Sequence, residues 1–362
     1  FGSRVRGGSP WLSSFVAMVE QLSVAQPAPA PEWNMCRVPD EELLADSSAI
    51  RVVSCSGSTL LTGSAKPVVK VWTIAEADVV LSQRLRYGAL GTTAVDVGVD
   101  GNTTVVCSDD GTMGLWDLRE KARIGELPSD ISYAWKLKFL TDGVGLVSGG
   151  PSGSLCFWDL RTRTMISELE ATGTEKRLKR QRVEEPNGES KDVYSLAVSS
   201  DGKMLACGRG SGDVSVMALG TSRWIGHVRA HHGVASSPVR ALSFHSNATL
   251  LSGGDDNHVC ELDVAEWAAQ CQPGEARTPH LERFSAHRGW ITSLIVSPVD
   301  GTIVTTSWDS TVKLWNGSTH AHIGSFKHTD SVWGSAFAEG GHFVTVGADS
   351  QMSLYTPKEP AA

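Results

Sequence analysis

The sequence predicts an all-β chain, a seven-bladed β-propeller whose ring is closed by an N-terminal strand. Three observations carry this: a recurring anchor residue at blade-like spacing, short strands split by turn residues, and no long stretch of helical periodicity. In SWDSTVKLW, Asp309 stands six residues before Trp315, and the arrangement recurs with Asp110 before Trp116, Asp349 before Tyr355 and Asp256 before Leu262. GSAKPVVKVW, GGPSGSLCFW and GRGSGDVSVM keep the strand without that carboxylate and end at Trp72, Trp158 and Met217. The seven anchors are separated by 44, 42, 59, 45, 53 and 40 residues, so the two long gaps hold insertions.

Each unit reads as several short strands. In LSFHSNATLLSGG, two β-compatible runs flank a polar turn at Ser246 and Asn247. Four strands in each of seven units protect their edges by radial repetition. Hydrophobic content of 41% and 37 glycines suit such a chain, and no apolar run is long enough to span a bilayer.

Residues 1–31 are rich in Gly, Ser, Ala and Pro and are expected to form a disordered lead. WLSSFVAMV has signal-like apolarity but no clean cleavage pattern, and Met18 is an expected start. The propeller is expected over 32–356, with a tail at 357–362. The last unit lacks a fourth strand, and Glu32 to Val38 is expected to supply it.

Seven cysteines without a CxxC pair fit buried, reduced thiols at Cys55, Cys107, Cys156, Cys207 and Cys260. The implied compartment is reducing. A net charge of −8 argues against a general nucleic-acid binder.

A Ser, a His and an Asp in one unit raise the hydrolase possibility. Yet His287, Ser307, Asp309 and Trp315 are followed one repeat later by His328, Asp349 and Tyr355, and Asp110 and Trp116 hold the same places earlier. A catalytic triad has no reason to be copied blade by blade, so these residues read as a structural network in each blade. No nucleophile with an independently placed base and no cofactor signature is found, and the chain reads as non-enzymatic. GRGSGD at 208–213 joins strands and opens no helix, and the His231, His232 pair suits the start of a repeat better than a metal.

The His, Ser, Asp and Trp pattern, with WDL at 116–118 and 158–160, resembles the WD-repeat family over residues 48–355. Within it, TGSAKPVVKVW, YAWKLKF, PVRALSF, HRGWITSLIVSP, SWDSTVKLWN and HTDSVWGSAFAEGGHFVTVGADSQMSLY resemble one branch most: small WD-repeat subunits of the superkiller messenger-RNA decay complex, shared in animals with the Paf transcription complex. The resemblance implies a scaffold of cytoplasm and nucleus. Its implied partners are a tetratricopeptide-repeat scaffold, an RNA helicase and Paf subunits, with RNA reached only through them and neither a membrane nor a small-molecule substrate involved.

Aligning the first strand of each unit on its final apolar residue puts Ile50, Thr93, Trp135, Tyr194, Arg240, Thr292 and Trp333 at one channel mouth. Trp, Tyr and Arg together have the composition of an interaction hot spot, and Tyr133 and Trp290 extend it. The expected partner-binding set is Trp135, Tyr194, Arg240, Trp290 and Trp333. The alternative for the tryptophans is packing between blades.

The insertion at 172–190 carries Lys176, Arg177, Lys179, Arg180 and Arg182 on the same face. It reads as a nuclear-localisation signal, a grip on RNA phosphates or a solvated loop balanced by Glu184, Glu185 and Glu189. AEWAAQ, in the second insertion, is expected to form a helical turn on the opposite face. The rival functional reading is a substrate receptor of a ubiquitin ligase or a histone-peptide reader. A reader of cationic peptides would want carboxylates at the mouth, where only Asp96 and Asp192 are expected.

Overall fold

The computed structural model describes residues 33–38, 48–75, 78–128, 134–171, 190–233, 237–270 and 279–357. The expected lead, the basic residues of the first insertion and Tyr133 lie outside these described residues.

Seven antiparallel four-stranded sheets form the blades of a propeller. The first strand of the chain is β1 (Trp33–Arg37). Blade one holds β2 to β5 (Ile50–Ser56, Thr59–Ser64, Val68–Ala75, Asp78–Arg86), and blade two holds β6 to β9 (Thr92–Val97, Thr103–Ser108, Met113–Asp117, Ala122–Leu127). Blade three holds β10 to β13 (Lys136–Phe139, Gly145–Gly149, Ser154–Asp159, Thr164–Glu170), and blade four holds β14 to β17 (Val193–Val198, Met204–Arg209, Asp213–Ala218, Arg223–Arg229). Blade five holds β18 to β20 (Val239–Phe244, Thr249–Gly254, His258–Asp263), then the helix α1 (Val264–Gln270) and β21 (Leu281–Ser285). Blade six holds β22 to β25 (Ile291–Val296, Ile303–Ser307, Thr311–Trp315, His322–Lys327). Blade seven holds β26 to β28 (Val332–Phe337, Phe343–Gly347, Met352–Pro357) and takes β1 as its outer strand.

The ring therefore closes as the sequence predicts. Strand β1 pairs antiparallel with β28, Trp33 opposite Pro357 and Arg37 opposite Ser353. Trp33 meets the ring of Phe343 edge-on at 5.1 Å, joining both ends of the propeller through one hydrophobic contact.

The core lies between blades rather than in a single centre. Leu61 and Val71 of blade one pack with Val95 and Val106 of blade two, while Leu60 and Trp72 pack with Val344 and Val346 of blade seven. Strands buried on both faces need apolar side chains in both directions, which explains continuous runs such as VVCS and TLLSG. Cys107, Cys156, Cys207 and Cys260 are buried in these layers, and Cys55 is half-buried. Burial pushes the Cys207 and Cys260 thiols up to about 12.

Helix α1 is longer than the expected single turn. It fills the gap between the third and fourth strands of blade five and buries Trp267. A Cβ at Gly226 would sit 2.3 Å from this indole, so the glycine is what lets the helix close on β17.

Candidate interaction site

Blades five, six and seven are tied to their turns by a recurring polar network. In blade six, the Nδ1 of His287 lies 3.1 Å from Asp309 Oδ2, its Nε2 lies 2.8 Å from Thr305 Oγ1, and the Trp315 indole N–H donates to the same hydroxyl at 2.9 Å. Asp309 also accepts the backbone N–H groups of Arg288 and Thr311. Burial raises its affinity for a proton, but the bonds from His287, Thr311 and Arg288 outweigh burial and hold the carboxyl well below its ordinary range. Blade five repeats the plan: His231 is fully buried between Asp256 at 2.9 Å and Ser252 at 2.9 Å. Gly254 makes room, since a Cβ there would come within 2.6 Å of the imidazole. In blade seven the imidazole of His328 meets the Tyr355 hydroxyl at 2.6 Å, and Asp349 lies 3.9 Å away.

Of the expected members, Ser307 holds the turn rather than the anchor, and Trp116 needs correction. Ser307 is not the hydroxyl linking His287 to Trp315; its Oγ accepts the Asp309 N–H at 3.0 Å, while Thr305 makes the link. The linking position lies on the partner strand, diagonal to the anchor and two residues beyond its paired residue, and blades one and three use Thr62 and Ser148 there for Trp72 and Trp158. Trp116 is outside the network. Blade two carries Val106 at that position, and the buried indole N–H has no acceptor among the described residues. Asp110 keeps its turn role without a histidine, accepting the Ala89 and Thr112 N–H groups at 2.6 and 3.0 Å.

The inner strands position the channel mouth. In six of the seven, the register slips at the second residue, leaving Arg51, Thr93, Tyr194, Arg240, Thr292 and Trp333 as bulged positions. A bulge re-aims its side chain away from the regular pleat. Trp135 matches them just ahead of β10, its N–H bonded to the Gly149 carbonyl at 2.9 Å. The expected Ile50 is thus one residue out of register: it is buried between blades one and seven, and Arg51 takes the rim position. The other bulged positions fall where the alignment puts them; blade one is misaligned because its last apolar residue, Cys55 between Ser54 and Ser56, is a weak marker of the strand end.

Four blades join in a continuous arc on this rim. Trp135 and Tyr194 meet in a tilted arrangement with 5.3 Å between ring centroids. The Arg240 guanidinium lies 5.4 Å from the Tyr194 ring and 4.9 Å from that of Trp290, and Trp290 meets Trp308 edge-on at 5.0 Å. Asp255 holds Arg240 through both Nε and Nη2, a bidentate clamp that fixes the guanidinium plane between the rings. Trp290 and Trp308 are 42% and 52% exposed, unusual for two touching indoles. Trp308 and Asp255 were not predicted. Both occupy the turn residue just before the structural Asp, so the signal was their offset from Asp309 and Asp256.

Trp333 stands on blade seven, next to blade six, half-buried, with its indole N–H buried and without an acceptor among the described residues. Thr292 works as a structural seam, donating to the Val332 carbonyl at 2.5 Å. Arg51 pairs with Asp109 at 3.3 Å. The channel below has a volume of about 360 Å³ and carries Asp96, which accepts from Ser54 Oγ at 2.7 Å and from the Phe139 N–H at 2.8 Å. Burial, then the neighbouring Asp192, raises the Tyr194 phenol above its ordinary value. Cationic and aromatic groups therefore dominate the arc, and its carboxylate Asp255 is already engaged. Such a surface can hold a peptide by stacking and hydrogen bonds. The GRGSGD turn joins β15 to β16 and is tied internally by Ser211 and Arg209 to Asp213.

The WD domain, G-beta repeat family matches residues 180–216, 223–260 and 279–316. Curated relatives include WD repeat-containing protein SL1-17 of Schistosoma mansoni, 26% identical over 208 residues covering 57% of this chain and 62% of that protein. WD repeat-containing protein VIP3 of Arabidopsis thaliana is 32% identical over 187 residues, covering 51% and 55%. F-box/WD repeat-containing protein 9 of Homo sapiens is 27% identical over 137 residues, covering 38% and 29%. The matched regions span less than two thirds of each of these relatives. Seven four-stranded blades and the His, hydroxyl and Asp network make the chain a seven-bladed β-propeller, and three stretches of it match the WD-repeat model.

Proposed function

We propose that this protein is a non-catalytic adaptor that captures short peptide segments of partner proteins on the mouth of its channel. The observation that carries the reading is the continuous arc from Trp135 through Tyr194, Arg240 and Trp290 to Trp308. Aromatic rings already packed against one another around a pinned arginine lose little side-chain entropy on binding, which suits an interaction hot spot. The polar networks are consumed by architecture: the carboxylate of Asp309 is engaged by His287, Thr311 and Arg288 and is not presented to a substrate.

The assembly proposed is of the superkiller type, in which the propeller joins a tetratricopeptide-repeat scaffold to an RNA helicase in assisting exosome-mediated 3′–5′ messenger-RNA decay. A second place in a Paf-type transcription assembly goes with it, and with that a distribution over cytoplasm and nucleus. Support for this finer reading is the set of motifs given above, SVWGSAF followed by VGADSQ foremost. RNA is reached through the partners.

Affinity purification with mass spectrometry tests it, comparing the wild type with a folded Trp135→Ala, Arg240→Ala, Trp333→Ala variant. A tetratricopeptide scaffold and a helicase should co-purify with the wild type and vanish from the variant. Their retention by the variant moves the binding surface elsewhere, and recovery of ubiquitin-ligase or histone-bearing assemblies in their place favours a substrate receptor or chromatin reader.

A further inference from the structure

Four cations line or rim the channel, and three are answered by carboxylates. Lys138 Nζ lies 3.4 Å from Asp96 Oδ1, Arg51 pairs with Asp109, and Asp255 clamps Arg240. Lys136 is the exception. It stands two residues before Lys138 on β10, so both side chains leave the strand on the face that lines the channel. No carboxylate and no hydrogen-bond acceptor meets its ammonium among the described residues. Burial first, and then the nearby charge of Arg240, depress its proton affinity. An ammonium set into a channel without a counter-ion is costly, because desolvation is not offset by attraction. The one carboxylate lining the channel among the described residues, Asp96, is engaged by Lys138 and Ser54.

We infer that the channel mouth receives one carboxylate side chain, Asp or Glu, from the bound partner peptide, with Lys136 as its counter-ion beneath Trp135 and Arg240. The inference rests on the peptide-capture reading and names the chemistry of the residue captured. The channel, about 360 Å³, is large enough to receive a carboxylate side chain. Arg240 cannot take the same role alone, since Asp255 already occupies two of its donors. Lys136 therefore sets the charge preference, while the aromatic arc supplies contact area.

A random displayed peptide library panned on the intact protein provides the probe, and enriched peptides are resynthesised with a fluorescein label. Binders should share one acidic position among apolar ones, and replacing that Glu by Gln should weaken binding to the wild type tenfold or more. On Lys136→Met, confirmed folded by thermal melting, the same replacement should change the Kd less than twofold. Panning on Lys136→Glu should exchange the acidic position for Lys or Arg. Binders that need Trp135 but share no acidic position overturn this inference and leave the capture reading standing. Loss on amidation of the peptide C-terminus, with no effect of Glu→Gln, overturns it in favour of terminal-carboxylate capture. A library that yields no binder overturns the capture reading itself, and this inference with it.

Discussion

Asp309 and His287 meet at 3.1 Å where the turn after β23 touches the start of β22, and this contact joins two segments that lie 22 residues apart. It is structural because the same pairing ties His231 to Asp256 one blade earlier. Asp309→Ala should leave the imidazole and two backbone N–H groups without their acceptor and cost about 2 to 3 kcal/mol. Chemical denaturation checks this. Per folded molecule, peptide binding should be unchanged; lost binding at unaltered stability would contradict the structural role.

Acid should unfold the protein in two stages. Burial lowers the proton affinity of folded His328 below the ordinary value, with Asp349 opposing, so the unfolded chain takes up that proton first as the pH falls below about 6.5. The depressed Asp309 and Asp256 carboxyls contribute stability that is present above about 4 and lost as the pH falls through their folded values. Melting temperature measured against pH should decline gently below about 6.5 and steeply below about 4. A curve that is flat down to pH 3 would refute the assignment.

The orphaned Trp116 indole offers a stabilising change. Val106→Thr would place a hydroxyl where Thr62 and Thr305 serve Trp72 and Trp315. The gain expected is about 0.5 to 1 kcal/mol by urea titration. In a Trp116→Phe background the gain should disappear, because no donor remains.

Closure of the ring depends on Trp33. Truncating it to Ala removes the edge-on contact with Phe343 and should cost about 2 kcal/mol or more. Hydrogen exchange should then rise first in β1 and β28, the pair that closes blade seven.

The clamp on Arg240 sets a further expectation for partner capture. Arg240→Lys keeps the charge but cannot grip Asp255 through two nitrogens or stack as a plane between Tyr194 and Trp290. Binding of the peptides selected on the wild type should weaken about tenfold, nearly as much as for Arg240→Ala. An Arg240→Lys variant that binds like the wild type would show that charge alone suffices.

The sequence by itself determined the number of blades and the strand that closes them, because anchors such as Trp72, Trp158 and Trp315 repeat a local pattern of strand, turn and burial. It also determined that Asp309 and Asp110 belong to turns, since their spacing to the anchor is a property of one hairpin. Tertiary structure decided which residues meet between strands distant in the chain. Thr305 rather than Ser307 links His287 to Trp315 because cross-strand register, not sequence order, chooses the diagonal hydroxyl. Arg51 stands on the rim in place of Ile50 because the inner strand of blade one runs on to Cys55, a weak apolar end mark between two serines. The arc through Trp290 and Trp308 and the uncompensated Lys136 exist only once four blades converge on one channel, a convergence that no local pattern encodes.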